Sequence, residues 1–122
     1  MPLVQIDLDR SLMARKEDIS NKIQEAFVES ELGVPANDKF QIFRPHDAGE
    51  LVADPTYNGV DRRSVTYIHI TMVHMYPVEA KNRLYKNIVQ RMEECGVRRE
   101  DLLICIVENG FEDWCAGKLR GE

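Results

Sequence analysis

The chain begins Met1-Pro2-Leu3, and Pro2 is the residue there with the least ordinary chemistry to offer. Methionine aminopeptidase trims an initiator methionine when the next residue is small, and proline qualifies. Pro2 then becomes a secondary amine at the start of the chain. A free α-amino group titrates at about 7.7–8.0 in model peptides, and apolar burial of the ammonium pushes that value down. A base poised near neutral pH can take a proton from carbon beside a carbonyl and return it elsewhere. Held protonated, the same nitrogen is an acid suited to hydration or decarboxylation. While Met1 stays attached, the nitrogen is an amide with no basic lone pair. The competing reading is structural: proline is tolerated as the first residue of a strand, where no ladder donor is needed.

Other reactive side chains are sparse. Cys95, Cys105 and Cys115 are odd in number and lack metal-ligand spacing, so reduced thiols are expected, with Cys105 as a small core residue in an apolar strand. His46, His69 and His74 form no zinc pattern, and no metal is expected. Arg44, Arg62 and Arg63 are possible clamps for a substrate carboxylate. The formal net charge of −5 argues against nucleic acid and anionic membranes as partners. No apolar run approaches the roughly 20 residues of a membrane helix, and Asp7 and Asp9 are unlike a signal peptide. A cytoplasmic protein is expected.

These residues must be positioned by elements that the periodicity outlines. Val4, Ile6 and Leu8 alternate as on a strand. Ile19, Ile23, Ala26 and Phe27 form one stripe of a helix over 13–32, which Gly33 and Pro35 end. A strand follows at 39–43. Residues 44–63 are rich in turn residues and suggest a short hairpin. A strand at 64–75 sets Ile68, Ile70 and Met72 on one face and Tyr67, His69 and Thr71 on the other. Pro77 fits the first position of a second helix, with a stripe of Leu84, Tyr85, Ile88, Val89 and Met92, ending near Cys95. "DLLICIVE" at 101–108 reads as a buried strand. The order is β-α-β, hairpin, β-α-β.

"ELGVPAND" at 31–38 and "ECGVRRED" at 94–101 share Glu, Gly, Val and Asp at equal offsets, 63 residues apart. A duplicated βαβ unit follows, with halves at about 2–45 and 64–108 in a single domain over 1–122. The expected fold is α/β: a four-stranded mixed sheet with both helices on one face, plus the short hairpin. The mixed second face of the sheet then calls for cover by other subunits.

Pro2, "GVPAND" at 33–38, "GE" at 49–50, "VEN" at 107–109 and "DW" at 113–114 together resemble the tautomerase superfamily, nearest its malonate semialdehyde decarboxylase branch. The resemblance spans nearly the whole chain. It implies a homotrimer that works without cofactor or metal on a small oxo acid, with Pro2 as general base of a keto–enol proton transfer. Asp38 matches an aspartate that the branch sets beside the proline, where it bonds the amine or orients a water; its alternative is a turn aspartate like Asp101. Trp114 matches a late tryptophan that walls the pocket or anchors packing. Arg62 aligns with a family arginine. The departure is at His74 and Tyr76, which stand where the branch has an Arg-x-Arg pair gripping the substrate carboxylate. Imidazole and phenol do not replace paired guanidinium donors, which disfavours decarboxylation. Tautomerisation needs only a base, an acid and carbonyl polarisation, for which Tyr76 and His74 are candidates. The alternatives are a decarboxylase or hydratase of a three-carbon oxo acid, and a trimeric scaffold without chemistry.

Overall fold

The computed structural model describes residues 1–122. Strand β1 (Leu3–Asp9) leads through a short 3-10 turn into helix α1 (Lys16–Val28), and β2 (Phe40–His46) follows. Strand β3 (Thr66–Val73), helix α2 (Val78–Glu94) and β4 (Leu102–Asn109) repeat the unit. The sheet order is β2-β1-β3-β4. β1 runs parallel to β2 and β3 parallel to β4, while the central pair β1–β3 is antiparallel.

Alternation decides which face is core. Val4, Ile6 and Leu8 of β1 and Ile68, Ile70 and Met72 of β3 lie under the helices. They meet Ile19, Ile23 and Phe27 from α1 and Leu84, Ile88 and Met92 from α2, all fully buried. The two helix stripes correspond one for one, 65 positions apart: Ile19 with Leu84, Ile23 with Ile88, Phe27 with Met92. The inward residues of the central strands correspond 64 apart, Val4 with Ile68 and Ile6 with Ile70. The 63-residue spacing of the loops therefore hides a true repeat whose connections differ by a residue or two.

The opposite face carries the rows Phe40-Leu3-Thr71-Val107, Ile42-Gln5-His69-Cys105 and Arg44-Asp7-Tyr67-Leu103. Phe40, Ile42, Leu103 and Val107 stand exposed there, each between 39% and 49% accessible. "LLICIV" is thus an edge strand with one bare face rather than a buried one. Cys105 lies on that bare face, and Cys95, at the end of α2, is the cysteine in the core.

The expected hairpin is absent. Residues 47–65 form turns and one 3-10 turn at Tyr57–Gly59. The reason is local: the Asp54 carboxylate accepts the backbone N–H groups of Thr56 (3.0 Å) and Tyr57 (2.7 Å), and Pro55 has no N–H to give. Donors a ladder would need are spent on a side chain. The helices are also shorter at their starts than the patterns suggest. Asp9 caps a 3-10 turn at Arg10–Arg15 through Ser11 N, and α1 begins only at Lys16. Pro77 is the N-cap of α2, with ψ 164°, rather than its first residue.

Candidate active site

The strand directions choose which residues can meet. The start of β1 lies beside the end of β3, with Leu3 opposite Thr71. The start of β2 flanks it on one side, with Leu3 opposite Phe40, and the end of β4 closes the other, with Val73 opposite Asn109. Pro2, Asp38, His74, Tyr76 and Asn109 are therefore gathered at one end of the sheet.

Pro2 is buried at this end, on the helix-facing parity of β1. Asp38 sits at the chain's beginning, with Oδ2 3.5 Å from the Met1 amino nitrogen. Its Oδ1 is buried and has no hydrogen-bond partner. The loop that carries Asp38 is pinned from α1. Gln24, itself buried, donates from Nε2 to the carbonyl of Asp38 at 2.8 Å and approaches those of Pro35 and Ala36 at 3.3 Å each. An apolar stripe with a buried glutamine in it is the local signal for this clamp.

Tyr76 follows β3 and packs against the core. Burial, with a smaller push from the Asp38 charge, raises its phenol above the ordinary value. It remains an O–H donor at neutral pH. The backbone N–H of His74 donates to the carbonyl of Asn109 at 2.8 Å, which ties the two strand ends together. The Asn109 side chain accepts from Trp114 Nε1 at 2.7 Å, which fixes the indole across the same end. Trp114 is only half-buried.

In the sequence Glu108 stands out only through its place in "VEN", and Lys81 does not stand out at all. The structure brings both to His74. His74 Nδ1 lies 2.9 Å from Glu108 Oε2, and Lys81 Nζ donates to Glu108 Oε1 at 2.8 Å. These neighbours, Lys81 first and His74 second, hold the Glu108 carboxyl below the usual range. Nothing in spacing alone marks the pair, since Lys81 and Glu108 lie 27 positions apart.

Arg62 is not brought to this end. It precedes β3, and β3 is antiparallel to β1, so the two strands begin at opposite ends of the sheet. Seven strand residues separate them by roughly 20 Å. There Arg62 donates to the carbonyl of Tyr57 and closes its own loop. A cavity of about 270 Å³ opens at that far end, lined by Asp9, His46, Arg62, Arg63, Ser64 and Val65 among others. That end has polar pairs of its own, among them His46 Nε2 with Asp7 Oδ1 at 2.7 Å and Arg10 Nε with Asp47 Oδ1 at 2.7 Å. No helix is long and apolar enough to cross a membrane.

Residues 38–117 match the model of a family described as tautomerase enzymes. A probable tautomerase, YusQ of Bacillus subtilis (strain 168), is 37% identical over 126 residues, which cover 100% of this chain and 98% of its own. The solved structure of FG41 malonate semialdehyde decarboxylase, inhibited by 3-bromopropiolate, superposes with a TM-score of 0.88 at 32% identity, over 95% of this chain and 89% of that one. A fused 4-OT, solved as a symmetric trimer, superposes with a TM-score of 0.79 over 94% of this chain and 91% of that one. At 16% identity that likeness is one of fold alone.

Proposed function

This chain belongs to the tautomerase enzyme family, and from that premise we propose that it moves a proton on a small 2-keto acid or its enol, with Pro2 as general base once Met1 is removed. The observation that carries the reading is the burial of Pro2 at the sheet end where Asp38 meets the chain's start, with Oδ2 3.5 Å from the Met1 amino nitrogen and Oδ1 buried without a partner. Apolar surroundings favour the neutral amine, and Asp38 orients it or a water. In the keto-to-enol direction, the Pro2 nitrogen takes a proton from C3. The C3–H electrons form the C2=C3 bond, the C2=O pair moves to the oxygen, and that oxygen takes a proton from water. Tyr76, kept as a phenol, donates a hydrogen bond to that oxygen where charge develops. His74 and Trp114 line the substrate, Trp114 as a wall. No cofactor takes part.

Three copies, joined across the bare sheet face, make the working unit in this reading. The exposed Phe40, Ile42, Leu103 and Val107 there favour association. Arg62 serves a site only through a neighbouring copy, since within one protomer it stands at the far end. The three free cysteines suit a reducing cytoplasm.

Decarboxylation or hydration of a three-carbon oxo acid is the second reading, favoured by the 32% identity to a malonate semialdehyde decarboxylase. Against it stand His74 and Tyr76 in place of two arginines. A keto–enol assay on phenylpyruvate-type and oxalocrotonate-type substrates, run beside carbon dioxide release from malonate semialdehyde, separates the two. The test of the base is the processed protein against Pro2→Ala and against a form with Met1 uncleaved. Pro2→Ala keeps a primary amine and some rate. The uncleaved form is expected to be inactive, and equal rates with and without Met1 would end the proposal.

A further inference from the structure

We infer that Glu108 is a positioning residue, which holds the His74 imidazole with its proton on Nδ1 and so makes Nε2 the second proton-carrying atom of the reaction. The inference rests on the tautomerase reading above and deepens it. Glu108 is an acceptor only, because Lys81 and His74 keep its carboxyl ionised. Whatever approaches Oε2 must therefore bring a hydrogen. His74 Nδ1 stands 2.9 Å away. Oε2 is buried and has no partner with hydrogen-bond geometry, His74 Nδ1 included, although that nitrogen is within reach. A buried carboxylate oxygen left without a donor is costly, and a small rotation of the imidazole supplies one. Oε1 is already taken by Lys81 at 2.8 Å, so the carboxylate cannot turn away from the ring without losing that bond. The backbone holds its part too, through His74 N to Asn109 O at 2.8 Å.

A neutral imidazole carries one N–H. With that hydrogen on Nδ1, Nε2 has the lone pair. The His74 side chain is 79% exposed, which leaves Nε2 open to substrate and to water. In the enol-to-keto direction the enol O–H bond breaks and its proton passes to Nε2. The oxygen electrons form the C2=O bond, and the C2=C3 pair takes a proton from the Pro2 ammonium. His74 then releases its proton to water and Pro2 takes one from water, so the cycle closes with no net change. The arrangement differs in kind from an arginine pair: it handles a proton where guanidinium groups would clamp charge.

The test reads the ring directly. In 15N-labelled protein, long-range proton–nitrogen correlation reports which nitrogen of each of the three histidines carries hydrogen. His74 is expected as the Nδ1–H form, against the Nε2–H form that exposed imidazoles ordinarily prefer. Glu108→Ala is expected to return it to Nε2–H, and Glu108→Asp to retain part of the Nδ1–H population. In the keto–enol assay Glu108→Ala should lower kcat by about ten- to a hundredfold with KM little changed. His74→Asn should lower kcat at least as far, and the double variant no further than His74→Asn alone. An Nε2–H form of His74 in the unaltered protein overturns the inference even if Glu108→Ala fails to fold. So does a folded Glu108→Ala protein with parental kcat. If the processed protein has no keto–enol activity at all, the tautomerase reading falls, whichever nitrogen of His74 carries the hydrogen.

Discussion

Asp38 and Asp101 occupy the same place in the two halves of the repeat, 63 positions apart, and the structure gives them different surroundings. Asp101 is buried, only 5% exposed. Its Oδ1 accepts the backbone N–H groups of Arg63 at 2.7 Å and Ser64 at 3.2 Å. The Arg98 guanidinium lies 3.5 Å from both of its oxygens. Hydrogen bonds to a charged group contribute about 1.5–3 kcal/mol each. Asp101→Ala removes two of them and leaves two amides without an acceptor at the entry to β3, so a loss of about 3 kcal/mol is expected. For a chain of this size that is a fall of about 10 °C in Tm. Asp38 accepts no backbone amide. It has the chain's amino group at 3.5 Å and one oxygen with no partner. Asp38→Asn keeps the size of the side chain and strands no amide, so stability should stay within about 0.5 kcal/mol while turnover falls. Urea unfolding of both variants at one protomer concentration, beside keto–enol rates per folded protomer, checks the pair. An Asp101→Ala protein as stable as the parent would refute the structural assignment. An Asp38→Asn protein that is less stable by 2 kcal/mol or so yet turns over normally would refute the other.

Tyr76→Phe should lower kcat by about a hundredfold while Tm stays within a degree or two, because the hydroxyl has no recorded structural partner; unchanged turnover strikes Tyr76 from the site. Burial, and then the hydrogen bond to Asp18 at 3.4 Å, push the Cys95 thiol up to about 11. Its folded value is raised, so the stabilisation is complete below about pH 9 and is lost as pH rises towards 11. The difference in urea midpoint between parent and Cys95→Ala should shrink across that window, and a constant difference refutes the assignment. Light scattering should give three times the 14.1 kDa chain mass, and a 14.1 kDa species at micromolar concentration removes the trimer.

Periodicity made the helices, the central strands and the repeat legible, because alternation and a 3.6-residue stripe are local properties. Ile19, Ile23 and Phe27 announce their burial, as do Ile68, Ile70 and Met72. What failed was where a side chain competes with the backbone: Asp54 turned a plausible hairpin into a knot of side chain-to-amide bonds. Cys105 reads as a core residue yet is exposed, because a run of apolar residues in an edge strand looks like one buried on both faces. Within the candidate site, the approach of Asp38 to the start of the chain was open to reasoning from the motif. Glu108 and Lys81 were not, since their meeting with His74 depends on β3 and β4 ending together. Arg62 lies at the far end of its own protomer because two antiparallel neighbours cannot both start at the same end of a sheet.

The repeat also sets a stoichiometry. Each half places an aspartate where its first strand begins. In the second half the chain arrives there from a loop, so the groups that meet Asp101 are peptide N–H donors, which have no basic lone pair. In the first half the same position lies at the chain's amino group. Duplicating the unit could copy the aspartate, the helix stripe and the strand pairing, but not a terminus, since a polypeptide starts once. A base made from that terminus is therefore limited to one per chain, and a trimer built from doubled units would carry three such centres, not six.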